Sequence, residues 1–150
     1  MEDHCIYDQG KPENNGGFDP TEIKPNQNLN DLIKGKELKK LTIYFESDQS
    51  YIEQVYIKKL DELLKETKAT KKENIYFVII GHTDKDGSDD YNLILSRKRA
   101  ETVRKRLQAK GIDFDRIKTY YYGEWEPLNS ENNENEKQIN RRVEVIIIKK

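Results

Sequence analysis

The chain has 150 residues, of which 34% are hydrophobic and 37% charged, and its formal net charge is -1. This length is typical of one domain with a sizeable core, and a near-neutral charge argues against a nucleic-acid-binding protein with a broad basic face. No apolar stretch approaches the roughly 20 residues that a membrane-spanning helix needs. Cys5 is the single cysteine, so no intrachain disulfide can form.

The N-terminal third of the chain predicts a polar arm followed by a strand and a helix. Residues 1–37 are rich in Asn, Gly, Pro and Asp, a composition that does not drive folding, and we expect an arm or linker there and the folded domain in residues 38–150. Residues 41–45 are predicted to form the first strand. Ser50 and Glu53 have capping-box spacing, which predicts a helix after Ser50. The apolar face of this helix is predicted to consist of Ile52, Val55, Tyr56, Leu60, Leu63 and Leu64.

The remaining elements are predicted to be a second helix and three strands. Residues 74–81 are apolar on both faces, as in a central strand. A helix is predicted over residues 89–110, stopped by Gly111, and further strands over residues 117–122 and 142–148, with a long acidic loop at 124–140. The order β-α-β-α-β-β predicts an α+β fold with the helices packed on one sheet.

The loop after the central strand and the helix that follows it together suggest a binding site. Asp84 lies on the loop and Arg99 on the helix, so their opposite charges could grip the two ends of a small zwitterion. Arg99 could hold a carboxylate through two parallel hydrogen bonds. Alternatively, Asp84 bonds its own loop backbone as an Asx turn, and Arg99 is an exposed helical arginine or a structural partner of Asp84.

Helical geometry extends this candidate site along the second helix. At about 100° per residue, Asn92, Leu95 and Arg99 share one flank, next to the core without being in it. The core-facing stripe beside this flank is predicted to be Leu93, Ser96, Ala100, Val103 and Leu107. Arg141 and Arg142 would point to opposite faces of the last strand, so at most one of them faces the site, and Arg141 is favoured.

These residues form part of a longer motif, and with it residues 38–149 resemble the OmpA C-terminal domain family. The matching residues are Gly81-His82-Thr83-Asp84, Gly87, Tyr91-Asn92, Leu95-Ser96, Arg99-Ala100, Val103, Gly111-Ile112, Arg116-Ile117, Tyr122-Gly123-Glu124, Pro127 and Asn140-Arg141-Arg142-Val143-Glu144. So many fixed residues in order are far more specific than one short motif. The resemblance implies a mixed sheet with the helices on one face.

The resemblance also implies a function, which is non-catalytic binding of cell-wall peptidoglycan through the diaminopimelate of its stem peptide. Asp84 and Arg99 would bind the diaminopimelate, with Thr83, Asn92, Leu95 and Arg141 as further ligand-binding residues. The module would anchor an outer-membrane or envelope protein to the wall of a Gram-negative bacterium, in the periplasm, without a cofactor. The export signal and any membrane segment are then expected outside this chain, and a protein partner in the envelope is also expected.

Three other interpretations compete with this one. Glu136-Lys137 stands where many family members have Gly-Arg, and Tyr121 where a glycine is usual, so the fold could instead serve as a protein–protein assembly module. A wall hydrolase is disfavoured because the sequence has no nucleophile–base motif, metal signature or phosphate loop. A calcium site is disfavoured because counting from Asp84 puts Gly87 at position 4, whereas an EF-hand needs glycine at position 6.

Two residues have both a functional and an incidental interpretation. Cys5 could be an acylated lipoprotein cysteine, but the four polar residues before it contain no hydrophobic signal region, so an incidental thiol is favoured. His82 could be a metal ligand beside the loop carboxylates, but a histidine that buttresses the loop is favoured.

Overall fold

The computed structural model describes residues 35–70 and 74–149, with only the backbone of residues 67–70. The predicted N-terminal arm and Cys5 therefore lie outside the described residues, apart from the start of the first strand. In the described part of the chain, no helix is long and apolar enough to cross a membrane.

The described residues form one four-stranded mixed sheet with three α-helices. In chain order the elements are β1 (Lys36–Tyr44), α1 (Gln54–Thr70), β2 (Ile75–Gly81), α2 (Asp89–Ala109), a 3-10 turn (Phe114–Arg116), β3 (Ile117–Tyr121), α3 (Glu134–Asn140) and β4 (Arg142–Lys149). The strand order is β1-β4-β2-β3. Strand β4 runs antiparallel to β1 and β2, whereas β2 and β3 are parallel. This architecture confirms the predicted α+β class and mixed sheet.

The main core lies between the sheet and helices α1 and α2. Alternate residues of β2 and β4 point into it, where they meet Leu60 and Leu64 of α1 and Val103 and Leu107 of α2. The intervening residues of β2 and β4 form a second buried cluster together with Tyr122, which consists of Val78, Ile80, Tyr122, Ile146 and Ile148. Strand β2 is therefore central and apolar on both faces, as predicted.

Helix α2 packs very closely on the end of β2, at Gly81. A Cβ atom at this position would lie 2.2 Å from the backbone oxygen of Ser96 and 3.2 Å from the Cβ of Ala100. Only glycine leaves room for this approach, which brings the loop after β2 close to the N-terminal half of α2. Ser88 caps that half, its hydroxyl accepting a hydrogen bond from Tyr91 N at 3.1 Å.

Three sequence predictions about the first two helices are wrong in detail. Helix α1 begins at Gln54, with Glu53 O accepting the first helical bonds, so Ser50 is not its N-cap. Val55 lies in the first turn and is 53% exposed, so it does not belong to the apolar face. On α2, Leu93 is only half-buried while Asn92 and Leu95 are buried, because the loop after β3 covers their flank.

The segment predicted as a loop at residues 124–140 contains helix α3. Asn133 caps it, with its side-chain oxygen accepting a hydrogen bond from Glu136 N at 2.9 Å, and Glu136 Oε1 accepts one from Asn132 N at 2.8 Å. The arrangement is similar to a capping box, except that Glu136 reaches the N–H of Asn132, the residue before the cap. A cap followed three residues later by an acid was the sequence signal for this helix.

Candidate functional site

The candidate site lies at the end of the sheet where β2 finishes and β4 begins. The last backbone bonds between these strands and their neighbours run from His82 N to Arg142 O at 2.9 Å and from Phe45 N to Arg141 O at 2.8 Å. Asp84 comes two residues after His82 in the chain. The sheet therefore delivers a carboxylate and a guanidinium, Asp84 and Arg141, to the same place from two separate loops.

Asp84 is a buried carboxylate with two different kinds of partner. Its Oδ2 accepts a hydrogen bond from Arg141 Nη1 at 3.1 Å, in an ion pair whose side chains are 8% and 4% exposed. Its Oδ1 accepts a bond from Asp86 N at 3.0 Å, which is the Asx turn considered above. The structure thus contains the Asx turn, and it pairs the charge of Asp84 with Arg141.

Arg141 connects three parts of the site. Besides Asp84, it donates from Nε to Phe45 O at 3.0 Å and from Nη2 to Glu134 Oε2 at 3.0 Å. Burial by itself would lower the pKa of Arg141, but the hydrogen bonds to Asp84 and Glu134 outweigh it and raise the pKa above its ordinary value. Arg141 is thus held in its charged form, and of its two anionic partners Glu134 is the exposed one, at 71%.

Arg99 is fully buried, and three backbone carbonyls bind it. It donates from Nε to Gln49 O at 2.7 Å, from Nη1 to His82 O at 3.0 Å and from Nη2 to Glu46 O at 3.0 Å. Its guanidinium carbon lies 5.2 Å from the centre of the Phe45 ring. Burial lowers the pKa of Arg99 to about 10, although the charge of Asp84 opposes this effect. Arg99 therefore ties the turn after β1 to the loop after β2.

The expected contact between Asp84 and Arg99 is absent among the described residues. Asp84 pairs with Arg141 instead, and three of the five N–H groups of Arg99 are engaged with carbonyl oxygens. The two residues still interact through space, since the negative charge of Asp84 favours the charged form of Arg99. Asp84 thus acts electrostatically on two arginines and bonds one of them.

The other predicted site residues are buried nearby, and the structure gives two of them internal partners. Thr83 donates from Oγ1 to Asp84 O at 2.8 Å, and Asn92 donates from Nδ2 to Glu124 Oε1 at 2.7 Å. Leu95 is 7% exposed. The expectation that this flank lies beside the buried interior is therefore wrong, because Asn92, Leu95 and Arg99 are all inside it.

Sequence reasoning missed three residues around the site. Glu134 binds Arg141, and Lys137 forms an ion pair with Asp86 at 3.2 Å that joins α3 to the Asp84 loop. Glu131 accepts a hydrogen bond from Lys85 N at 2.9 Å. All three lie in the acidic, Asn-rich segment, where an acid or a lysine normally indicates solvated surface, so composition gave no signal for these contacts.

His82 lies beneath the site on the face of the sheet opposite the helices. Its ring stacks on Tyr122, with centroids 5.9 Å apart, and neither ring nitrogen has a hydrogen-bond partner among the described residues. Burial, followed by the charges of Arg142 and Lys40, lowers the pKa of His82 well below its ordinary value. The Glu144 carboxylate, 3.9 Å from Nε2, does not overcome these effects. His82 is therefore a neutral, structural histidine.

Acid is expected to destabilise the domain through His82. In the unfolded chain this histidine gains a proton as the pH falls through about 6.5, whereas in the folded chain it stays neutral, so the free energy of unfolding falls with the pH by up to about 1.4 kcal/mol per unit. Urea unfolding of the native protein and His82→Phe between pH 7.5 and 5 measures this effect. The variant should have the flatter profile, and equal slopes would contradict this account. His4 is present in both proteins, so its contribution cancels.

The site as a whole has the charges needed to recognise a charged ligand. One buried guanidinium bonds to the Asp84 carboxylate and a second is influenced by its charge, an arrangement suited to a small ligand that carries both an ammonium and a carboxylate group. Within the described residues, no group of three or more His, Cys, Asp or Glu side chains could hold a metal ion.

Comparison with known proteins assigns this chain to a family. Residues 44–141 match the model of the OmpA family, and the chain belongs to that family. It is 34% identical over 120 residues to the peptidoglycan-associated lipoprotein of Buchnera aphidicola, a match that covers 80% of this chain and 65% of that protein. It is 34% identical over 105 residues to outer membrane protein A of Bordetella avium, covering 70% of this chain and 53% of that protein.

These relatives are longer than the region they share with this chain, which spans between about half and two thirds of their length. Among solved structures, the peptidoglycan-associated lipoprotein from Burkholderia pseudomallei superposes with a TM-score of 0.66 and 27% identity, over 71% of this chain and 88% of that one. The predicted membership of the OmpA family is thereby confirmed, together with the fold.

Proposed function

We propose that this chain binds cell-wall peptidoglycan without cleaving it, through the diaminopimelate of the stem peptide, and holds an envelope protein to the wall. The proposal rests chiefly on the buried Asp84 carboxylate, which bonds to the guanidinium of Arg141 and acts through space on that of Arg99, at the sheet end of an OmpA-family domain. The names of its relatives, which refer to peptidoglycan association and to the outer membrane, support a periplasmic location beside the outer membrane.

Diaminopimelate matches the charges of this site because its side chain ends in one ammonium and one carboxylate group. The ammonium would bind Asp84, and the carboxylate would bind the arginines. Arg99 has five N–H donors, of which three are engaged with carbonyls, so two remain for a ligand. Thr83, Asn92 and Leu95 would line the bound side chain.

Ligand entry requires one of the present contacts to open, because Arg99 is 0% and Asp84 only 6% exposed. The contact between Arg141 and Glu134 is the natural one, since the Glu134 carboxylate is 71% exposed and reaches into solvent. A ligand carboxylate would take its place on Arg141. This exchange keeps the charge of the arginine paired throughout, so the guanidinium is never left buried without an anion.

Calorimetric titration of a diaminopimelate-containing stem peptide into the native domain and Asp84→Asn tests this proposal. The native domain should show saturable binding without turnover, and the variant should bind about 10- to 100-fold more weakly, since a hydrogen bond to a charged group contributes about 1.5–3 kcal/mol. Asp86→Asn is the matched control, because Asp86 is on the same loop but its side chain is 57% exposed and pairs with Lys137.

A second ligand identifies the group that the arginines recognise. A lysine-containing stem peptide differs from the diaminopimelate peptide by lacking one carboxylate, so it should bind at least about tenfold more weakly if a guanidinium holds that group. Equal affinities would show that the site does not select diaminopimelate. No binding of either peptide, and none of isolated wall material, would overturn the proposal.

A protein-assembly role is the second candidate, and one observation favours it. The segment between β3 and β4 exposes three large apolar side chains: Trp125 is 48%, Leu128 60% and Ile139 40% exposed. Apolar residues exposed on one segment can mark a protein contact. Loss of wall binding in Asp84→Asn, with no effect of Leu128→Ser, would leave peptidoglycan binding as the function of the site.

A further inference from the structure

Glu131 has two features that cost free energy and therefore call for an explanation. Its backbone has a φ of 57°, a left-handed conformation that residues other than glycine rarely adopt. Its carboxylate belongs to a residue that is only 7% exposed, and a buried carboxylate is unfavourable unless hydrogen bonds compensate it. Both unfavourable features occur at one residue of the segment between β3 and α3, next to the candidate site.

The two oxygens of Glu131 bind groups that adjoin the two partners of the buried ion pair. Oε1 accepts a hydrogen bond from Lys85 N at 2.9 Å, and Lys85 directly follows Asp84. Oε2 accepts one from Asn140 Nδ2 at 2.6 Å, and Asn140 directly precedes Arg141. One carboxylate thus bridges the loop that carries Asp84 and the helix end that carries Arg141.

Two asparagines hold Glu131 in this position. Asn129 Oδ1 accepts a hydrogen bond from Glu131 N at 2.9 Å and another from Asn140 Nδ2 at 3.2 Å. Asn140 Oδ1 in turn accepts one from Leu128 N at 2.7 Å. Such a hydrogen-bonded network restricts the Glu131 side chain, and the backbone of this residue is left-handed.

The sheet alone does not fix the distance between Asp84 and Arg141. The last backbone hydrogen bond between the ends of β2 and β4 is from His82 N to Arg142 O, so Asp84 lies beyond the hydrogen-bonded part of these strands. Within residues 35–70 and 74–149, the Glu131 bridge joins the two segments past that point, together with the ion pair itself and the exposed pair of Lys137 with Asp86.

We propose that Glu131 is a positioning residue that holds Asp84 and Arg141 at the spacing needed to receive a zwitterionic ligand. This inference rests on the proposed function of the same site. Its carboxylate does not touch the ligand, and it acts through the backbone of Lys85 and the side chain of Asn140. A purely structural role would instead affect the stability of the domain and leave the affinity of the folded site unchanged.

Two variants of Glu131 distinguish the effect of its side chain from the effect of its backbone conformation. Glu131→Gly removes the carboxylate and suits the left-handed backbone, since glycine adopts positive φ readily. Glu131→Gln keeps the carbonyl that accepts from Lys85 N but turns an amide toward Asn140 Nδ2, so one of the two bonds is retained. Glu136→Gln is the matched control, because the Glu136 carboxylate also accepts from a loop backbone N–H, that of Asn132, whereas Lys85 N and Asn140 Nδ2 donate to Glu131.

Two measurements on the folded proteins test the inference. The first is calorimetric affinity for the diaminopimelate-containing stem peptide, which should fall about tenfold in Glu131→Gly, less in Glu131→Gln and not at all in Glu136→Gln. The second is hydrogen exchange of the Lys85 amide, read by NMR without ligand. That amide should exchange faster in Glu131→Gly and stay protected in Glu131→Gln.

The outcomes separate this inference from the proposed function. If the native domain binds the peptide and Glu131→Gly binds it equally well, the positioning role is overturned. An equal loss of affinity in Glu136→Gln would also overturn it, because the effect would then belong to the loop in general. If the native domain binds no peptide, the proposed function fails, and unchanged Lys85 exchange in Glu131→Gly then overturns the positioning role as well.

Discussion

Arg99→Ala is expected to lower the free energy of unfolding by about 3–5 kcal/mol, because it removes a fully buried side chain and its three hydrogen bonds to backbone carbonyl groups. These carbonyls belong to Glu46, Gln49 and His82, and each now accepts a hydrogen bond from the guanidinium. Lysine cannot replace this pattern, since its single ammonium cannot span three positions around a planar fork. The loss approaches the total stability of a marginal domain, about 5–15 kcal/mol.

Chemical denaturation followed by circular dichroism measures this loss, with Arg106→Ala as the control. Arg106 lies on the same helix and pairs with Asp61 at 2.8 Å, but its side chain is 32% exposed, so its removal should cost less than about 1 kcal/mol. Equal losses of unfolding free energy in the two variants would show that the buried Arg99 contributes no more to stability than an exposed arginine. For the same reason, absence of ligand binding in Arg99→Ala has meaning only at a temperature where the variant is folded.

Gly81→Ala is expected to destabilise the domain by about 3 kcal/mol and to weaken ligand binding as well. The new Cβ would lie 2.2 Å from the backbone oxygen of Ser96, and a backbone atom in a packed helix cannot move aside as a flexible side chain can. Helix α2 would shift away from β2. Because Arg99 is on that helix and Asp84 on the loop after β2, the shift would separate the two charges.

Gly111→Ala is the appropriate comparison for this steric effect. Gly111 has a φ of 99°, and a Cβ added there would meet no atom within 4 Å, so its replacement strains the backbone, by about 1–2 kcal/mol, without any collision. Denaturation of both variants and calorimetry on both with the stem peptide give the test. A smaller loss in Gly81→Ala than in Gly111→Ala would show that α2 tolerates displacement.

The fold was predictable because its signals are local and agree with one another. An apolar run at β2, a long helix between Ser88 and Gly111 and a final apolar strand at β4 are each readable without any partner. Helix α3 was not predicted because its composition resembles a solvated loop, in which its cap at Asn133 is one asparagine among several. Val55 was misplaced because the apolar pattern of α1 shows which residues are hydrophobic but does not show where the helix starts.

The partners of the site residues were not predictable in the same way. The motif located Asp84, Arg99 and Arg141, but their hydrogen bonds depend on how separate loops meet in space. Arg99 binds carbonyls about 50 residues earlier in the chain, and a backbone carbonyl carries no sequence signal at all. Glu131 is the clearest example of a contact that the sequence did not predict. Nothing in an acidic, Asn-rich stretch distinguishes this carboxylate, which turns inward, from its neighbours.

The antiparallel pairing of β1 with β4 has a mechanical consequence for any protein that grips the wall through this site. The register places Tyr44 opposite Arg142 at the site end, and Lys36 opposite Lys149 at the far end. A load applied between the site and the chain before Lys36 therefore runs along the strands, and it pulls β1 and β4 in opposite directions. All the hydrogen bonds between them then share the load at once, so the strands have to slide past each other before they can separate.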